Sequence, residues 1–208
     1  MKLRQHRPRL IAGLAILVAT AGVLSGCSFV ASDQGSVSSS PSPSTESADS
    51  IPSVDIPPAP TDPVAAAAWE ALMAWDGEYA AVASYAAVIE EFGAVEPYVS
   101  IKGAEEKHIA ALTRQLERLG VTVPDNPWLG NVAAPDDLAT AAQAWADGEI
   151  ANVALYDRLL SAASSDTALT RVFTNLQRAS QEQHLPMFQA AAENGGTLTS
   201  EQMRSITH

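Results

Sequence analysis

The residues of this sequence that could do chemistry belong to an internal repeat. A ten-residue block that begins at Asp76 recurs at Asp147, and seven of its ten residues are identical. In each block a glutamate is followed seven residues later by a tyrosine, which gives the pairs Glu78 with Tyr85 and Glu149 with Tyr156. Seven residues are nearly two turns of an α-helix, so each tyrosine lies on the same face as its glutamate.

A second, weaker repeat carries two histidines. Glu105 and His108 belong to a Glu-Glu-Lys-His sequence, and His184 ends the related Gln-Glu-Gln-His sequence. The other two of the four histidines lie near the ends of the chain, at positions 6 and 208. Imidazole and carboxylate together suit iron, manganese or zinc, whereas the absence of thiolates from the repeats disfavours soft metals. The pattern predicts two helical hairpins, each with a glutamate on its first helix and a histidine on its second.

Four helical segments are needed to position these residues. Alanine-rich stretches at 64–92, 97–119, 135–163 and 166–193 are bounded by capping acids, prolines and glycines, and no alternating β-branched run occurs. We therefore expect an all-α fold, a four-helix bundle of two repeated hairpins over residues 63–196. The loop at 121–134 is long enough to run the length of the bundle, which permits the second and third helices to lie parallel without requiring it. The tail at 197–208 is expected to dock as a short helix.

In this order the motifs resemble the ferritin-like di-iron carboxylate proteins, and most of all a prokaryotic family of exported ferritin-like domains. The resemblance covers about residues 66–192 and includes Glu-x-x-His on the second helix and His-Leu-x-x-Phe on the fourth. It implies a site for one or two Fe or Mn ions in the bundle core. The implied metal ligands are Glu78, Glu105, His108, Glu149 and His184. Tyr85 and Tyr156 fit two roles equally, as hydrogen-bond partners of the ligating carboxylates or as core residues with satisfied hydroxyls.

The chain departs from this family pattern on the fourth helix. A complete site would have a glutamate three residues before His184, and that position is Gln181. Glu182 lies about 200° around the helix from His184 and so points away from the site. Because Pro186 cannot donate a hydrogen bond to the Glu182 carbonyl, a local rotation or bulge there would let Glu182 or Gln181 turn inward. A single ion or an asymmetric pair fits this donor set as well as a matched di-iron centre does.

The N-terminal residues resemble a bacterial lipoprotein signal. Four cations precede an apolar stretch at 10–24, which is too short for a stable transmembrane helix and ends in Leu-Ser-Gly-Cys at Cys27. The resemblance implies removal of residues 1–26, lipidation of Cys27, and an extracytoplasmic protein anchored to the cell membrane. The segment that follows, 28–62, has 11 serines and 6 prolines and is expected to be a disordered linker.

Charge and composition narrow the possible functions. The net charge is −12, and it becomes −16 once the four signal cations are removed. Nucleic acid is excluded as a partner, because phosphate binding needs a basic patch. Two classes remain open: a membrane-anchored metal protein, with or without oxidase or peroxide-handling activity, and a non-catalytic helical module of the cell envelope with a degenerate metal site. The sequence does not decide whether the protein is an enzyme.

Overall fold

A computed structural model describes residues 52–206. Over this range the chain is all-helical and has no strand, which confirms the all-α part of the predicted fold class. The helices are α1 (Pro63–Met73), α2 (Glu78–Phe92), α3 (Tyr98–Arg118), α4 (Leu138–Ala162), α5 (Thr167–Ala179), α6 (Leu185–Glu193) and α7 (Ser200–Ile206), with a π-helical turn (Ser180–His184) between α5 and α6. Among the described residues, no helix combines the length and the apolar character that a membrane span requires. The predicted signal peptide and Cys27 lie outside the described residues.

The helical part begins where the capping residues predict. Asp62 accepts hydrogen bonds from the backbone N–H groups of Val64 and Ala65, and Pro63 occupies the first helical position, where its missing N–H costs nothing. The last part of the predicted linker, 52–62, has no regular secondary structure, and Val54 packs against the core.

Helices α2 and α3 form a first hairpin, and α4 packs against α5, the π turn and α6 as a second hairpin. The starts of α3 and α4 lie together, because the Tyr98 hydroxyl donates to the Leu138 carbonyl at 3.1 Å. The end of α3 lies beside the start of α5, where Arg118 pairs with Asp166 at 2.7 Å. Helices α3 and α4 are therefore parallel, and the crossover segment 119–137 runs along them from one end to the other. Because each hairpin is antiparallel, α2 and α4 run in opposite directions.

The predicted continuous helix over 64–92 is wrong, because the chain leaves the helical conformation between Met73 and Glu78. Ala74 and Gly77 both have extended backbones, with ψ angles of 159° and 179°. A side chain at position 77 would be too close to the Ala71 carbonyl oxygen, since a Cβ there would lie 2.5 Å from it. Glycine is required at this break for space.

Side chains from other segments satisfy the carbonyls that this helix break exposes. The Trp128 indole N–H donates to the Met73 carbonyl at 2.9 Å, and the Asn152 amide donates to the Asp76 carbonyl at 2.9 Å. Asn126, also on the crossover segment, donates to the Tyr79 carbonyl at 2.8 Å. The break is thus held by tertiary hydrogen bonds that a local sequence pattern does not contain.

The apolar core has two parts, with a polar layer between them. One part includes Leu112, Leu116, Leu155, Tyr156 and Phe173, and the other includes Tyr85, Ile101, Ala146, Met187 and Phe188. Along α3, α4 and the α5–α6 helix, the chain passes from one cluster to the other through Glu105 and His108, through Glu149, and through His184. This places the predicted site residues inside the helix assembly.

The C-terminal tail packs on the second cluster. Leu198 is buried, Met203 and Ile206 of α7 contact the core, and the Leu198 N–H donates to the Glu96 carbonyl at 2.9 Å. Gly196 has φ +95°, and a Cβ there would lie 2.1 Å from the Leu138 carbonyl carbon. The close approach of the tail to the start of α4 therefore requires glycine at this position.

Candidate metal centre

The structure brings the five sequence-predicted ligands together in the polar layer. They come from four segments: Glu78 opens α2, Glu105 and His108 lie one turn apart on α3, Glu149 lies on α4, and His184 ends the π turn. The three glutamate side chains and that of His184 are at most 3% exposed, while the His108 side chain is 13% exposed. Buried charged groups at this density need a compensating partner.

A first donor group consists of Glu78, Glu105 and His108. His108 Nδ1 lies 2.6 Å from Glu105 Oε2 and 3.3 Å from Glu78 Oε2. One ligand atom from each residue lies within 4.8 Å of the others, so the three could hold a metal ion.

A second donor group consists of Glu105, Glu149 and His184. His184 Nδ1 lies 2.8 Å from Glu105 Oε1 and 3.6 Å from Glu149 Oε1, and these ligand atoms also lie within 4.8 Å of one another. Glu105 is common to both groups, with Oε2 facing His108 and Oε1 facing His184. The two imidazole rings are stacked, with centroids 5.5 Å apart. Two neighbouring groups that could each hold a cation are thus joined by one carboxylate.

The donor atoms are spaced as the ligands of a metal ion would be. Glu105 Oε2 and His184 Nδ1 are fully buried and lack a hydrogen-bond partner, although each has an oppositely charged atom less than 3 Å away. Ligands lie about 2.0–2.2 Å from a first-row divalent ion, which places neighbouring ligand atoms about 3 Å apart. The observed separations of 2.6–3.6 Å match that spacing.

Each of the two repeat tyrosines donates a hydrogen bond to the glutamate of the other repeat. The Tyr156 hydroxyl donates to Glu78 Oε1 at 2.5 Å, and the Tyr85 hydroxyl donates to Glu149 Oε1 at 2.8 Å. Because α2 and α4 are antiparallel, the seven-residue spacing places each tyrosine opposite the glutamate of the other copy. Burial, with the neighbouring carboxylates, raises the pKa of both tyrosines well above its ordinary value, so both stay protonated and donate. Such donors orient a carboxylate. In Glu78 the oxygen that faces His108, Oε2, is not the one that Tyr156 binds, whereas in Glu149 the oxygen that Tyr85 binds, Oε1, also lies 3.6 Å from His184 Nδ1.

Gln181 and Glu182 do not reach the site. A π turn precedes Pro186, where a rotation or bulge would have been needed to turn Glu182 inward, and the Leu185 N–H donates to the Ser180 carbonyl five residues earlier. This wider turn avoids the clash that the proline ring would make with the Glu182 carbonyl in an α-helix. It brings Ser180 and His184 inward, and it leaves the side chains of Gln181 and Glu182 exposed.

Two buried polar residues near the site had not been predicted from the sequence. The Ser180 hydroxyl donates to Asn152 Oδ1 at 2.9 Å, and the Asn152 amide donates to the Asp76 carbonyl, two residues before Glu78. This chain of hydrogen bonds connects the π turn, α4 and the helix break. The sequence contained a signal for them, since the second repeat has these polar residues where the first repeat has alanine, Ala81 and Ala104.

The electrostatics of the metal-free site favour bound protons. Burial and the charge of Glu105 raise the pKa of Glu78 to about 7. Burial opposes ionisation of Glu105, but its contacts with Glu78, His108 and His184 lower its pKa to about 2. Burial also opposes protonation of the imidazoles, but the adjacent carboxylates raise the pKa of His108 and of His184 to about 10. A bound cation would therefore displace protons from both histidines at neutral pH.

No protein-family model, curated protein or solved structure matches this chain significantly. The functional assignment therefore rests on the residues and geometry described above.

Proposed function

We propose that this protein binds two divalent first-row metal ions, Fe or Mn, within a ferritin-like four-helix bundle. The observation that carries the proposal is the pair of donor groups that share Glu105, together with the two buried donor atoms that have no hydrogen-bond partner. The crosswise tyrosines support the proposal, because they orient both carboxylates, and in Glu78 the oxygen that faces His108, Oε2, is not the one that accepts from Tyr156.

The donor set indicates the class of metal. Each donor group offers one imidazole and two carboxylate oxygens, a combination that suits iron, manganese or zinc. Three protein ligands leave coordination positions open, which is typical of reactive sites and not of closed structural ones. When bound there, iron or manganese would supply redox chemistry toward dioxygen or peroxide. The protein's own part is to hold the ions in a buried layer, keep the tyrosines protonated and restrict the entry of water.

We also propose that the protein is a lipoprotein held at the outer face of the cell membrane. The support is the order of cations, apolar stretch and Leu-Ser-Gly-Cys ending at Cys27, all of which lies outside the described residues. The Ser/Pro-rich segment after Cys27 would separate the helical domain from the membrane surface. Mass spectrometry of the membrane fraction tests this: wild-type protein should begin at an acylated Cys27, and Cys27→Ala should abolish acylation.

The alternative is a non-catalytic envelope module whose glutamates and histidines form a buried ionic network. Charge favours it to some degree, because two protonated imidazoles face three carboxyl groups, one of which has its pKa raised to about 7. Positive and negative charges are then close to balance without an ion.

Metal analysis separates the two functions. The full chain, purified in detergent and loaded anaerobically with Fe(II) or Mn(II), should retain two ions, and a His108→Ala, His184→Ala double variant should retain none. A Gln181→Ala, Glu182→Ala double variant, changed at exposed neighbouring positions, serves as the matched control and should bind as wild type does. Wild-type protein that takes up no Fe, Mn or Zn would sink the metal proposal. Consumption of oxygen or peroxide after Fe(II) addition then decides whether the site is redox active.

A further inference from the structure

The two donor groups differ in their access to solvent. The His108 side chain is 13% exposed, whereas that of His184 is 3% exposed and those of the three glutamates are 1–3% exposed. Among the described residues, His108 is thus the ligand through which the site meets the exterior. The second donor group has no ligand with comparable exposure.

Because Glu105 belongs to both donor groups, the two groups lie one behind the other on the way in from His108. Glu105 presents Oε2 to His108 and Oε1 to His184, so its two oxygens face the partly exposed group and the buried group respectively. The stacked imidazoles lie 5.5 Å apart, which keeps the two groups adjacent. A cation arriving at His108 would meet the first group before the second, and one leaving the second group would pass the first.

We propose that the first donor group (Glu78, Glu105, His108) is the exchangeable cation position and that the second (Glu105, Glu149, His184) is the retained one. The inference rests on the proposed metal function and deepens it, since it assigns different roles to two groups that the repeat makes alike. Exchange at the first group requires movement of one partly exposed imidazole. Exchange at the second requires displacement of ligands that are all buried, including His184 Nδ1, which lies between Glu105 and Glu149.

The local structure of the two histidines supports this difference. His108 lies within regular α3, where a side chain can change rotamer without backbone movement. His184 ends the π turn, whose Ser180 is tied through Asn152 to the helix break. The backbone that carries His184 is therefore tied to other segments by hydrogen bonds, whereas His108 stands in an uninterrupted α-helix.

Release kinetics with Zn(II), which has no redox chemistry, test the inference. The full chain is loaded with two equivalents of Zn(II) and mixed with an excess of a chromogenic chelator. Wild-type protein should release one ion in a fast phase and one in a slow phase, with rates that differ by about tenfold or more. Two ions released at a single rate would overturn the inference while leaving the metal function standing, whereas no uptake of Zn(II), Fe(II) or Mn(II) would overturn both.

A matched pair of variants assigns the phases. His108→Phe and His184→Phe each remove one ligand and keep an aromatic ring in the stack. His184→Phe should bind one ion and release it in the fast phase, and His108→Phe should bind one ion and release it in the slow phase. The reverse assignment would refute the proposal. Circular dichroism of each variant shows whether it has folded, and the two wild-type phases provide the test without either variant.

Discussion

The two hairpins carry the same glutamate, tyrosine and histidine, but they hold them in different backbones. In the first hairpin the Asp-Gly dipeptide before Glu78 lies at a helix break, while the same dipeptide before Glu149 lies inside α4. The histidine of the first hairpin stands in regular α3, and His184 stands in a π turn.

The cause of each difference lies outside the repeat. The crossover segment passes the first Asp-Gly and supplies Trp128, which satisfies the Met73 carbonyl. The second hairpin has Pro186 two residues after its histidine, and the first has alanine at that position, Ala110. Repetition thus preserves the side chains that meet at the site, while neighbours decide the local backbone.

The largest effect is expected from making the first hairpin like the second at its bridging position. Glu105→Gln should lower the affinity for both ions by about two orders of magnitude or more, since it removes the carboxylate that both donor groups share. Gln181→Glu, the reciprocal change, should leave binding unchanged because residue 181 faces solvent. Competition titration with Zn(II) measures both affinities. Tighter binding in Gln181→Glu would show that the π turn can rotate this residue inward.

The pH dependence of binding should also distinguish the hairpins. Both ions displace a histidine proton, so each affinity should rise by about tenfold per pH unit below pH 10. Below pH 7 the first donor group must also lose the Glu78 proton, and its slope should approach about two decades per unit. Titrations of His184→Phe and His108→Phe at pH 6, 7 and 8 isolate the two groups. If affinity changed equally with pH in the two variants below pH 7, the proposed additional proton on Glu78 of the first group would be contradicted.

The stability of the metal-free protein against unfolding should fall as the pH rises above 6.5, whereas the metal affinity should rise. Both histidines have folded-state pKa values of about 10, above the unfolded value of 6.5, so their stabilisation is complete below pH 6.5 and is lost as the pH rises toward 10. The upper limit is about 1.4 kcal/mol per histidine per pH unit. Glu105, with a folded pKa of about 2, stabilises above pH 4.5 and loses this effect as the pH falls. Glu78, with a folded pKa of about 7, stabilises fully below pH 4.5 and loses this effect as the pH rises toward 7. Denaturant unfolding with a chelator present should therefore show greatest stability near pH 4.5, and a maximum above pH 8 would refute this.

The two repeat glycines should respond with opposite signs to alanine. Gly77→Ala should destabilise the protein by about 1–3 kcal/mol, because a Cβ there would lie 2.5 Å from the Ala71 carbonyl oxygen. Gly148→Ala should stabilise it by about 0.5–1 kcal/mol, because this glycine is inside α4 and its nearest neighbour is the Trp145 ring at 3.5 Å. Urea unfolding of both variants checks the signs, and a shared sign would mean that the break is absent in solution.

The tyrosines should affect metal affinity less than Glu105→Gln does, and each should act on the ion bound by the glutamate of the other hairpin. Tyr156→Phe should lower by about tenfold the affinity for the ion bound by Glu78, which belongs to the other hairpin. Tyr85→Phe should lower by a similar factor the affinity for the ion bound by Glu149. Combining each change with His108→Phe or His184→Phe shows which ion is affected. An effect confined to each tyrosine's own hairpin would exclude the antiparallel arrangement of α2 and α4.

The repeats and the family resemblance selected the residues that converge, and helical spacing explains part of that selection. Helical periodicity fixes which side chains share a face, so Glu105 with His108 and Glu78 with Tyr85 followed from their spacing alone. The outward position of Gln181 did not follow, because the direction and size of a proline-induced bulge depend on packing.

The helix break was hidden from sequence analysis for a related reason. The Asp-Gly dipeptide occurs in both repeats and is helical in one of them. What separates the copies is a tryptophan about 50 residues further along the chain. The crosswise direction of the tyrosine bonds was equally inaccessible until the crossover segment established that α2 and α4 are antiparallel.

In each hairpin, the repeat glutamate accepts its tyrosine hydrogen bond from the other hairpin and not from its own. Two identical hairpins placed antiparallel about a two-fold axis would each supply the tyrosine that the other needs, so the single chain has the organisation of a fused symmetric dimer. On such an axis, two bridging glutamates would bring four carboxylate oxygens together. One carboxylate, Glu105, stands at this point, and its counterpart, Gln181, is uncharged and faces solvent. The broken symmetry thus avoids a like-charge contact at the centre of the molecule.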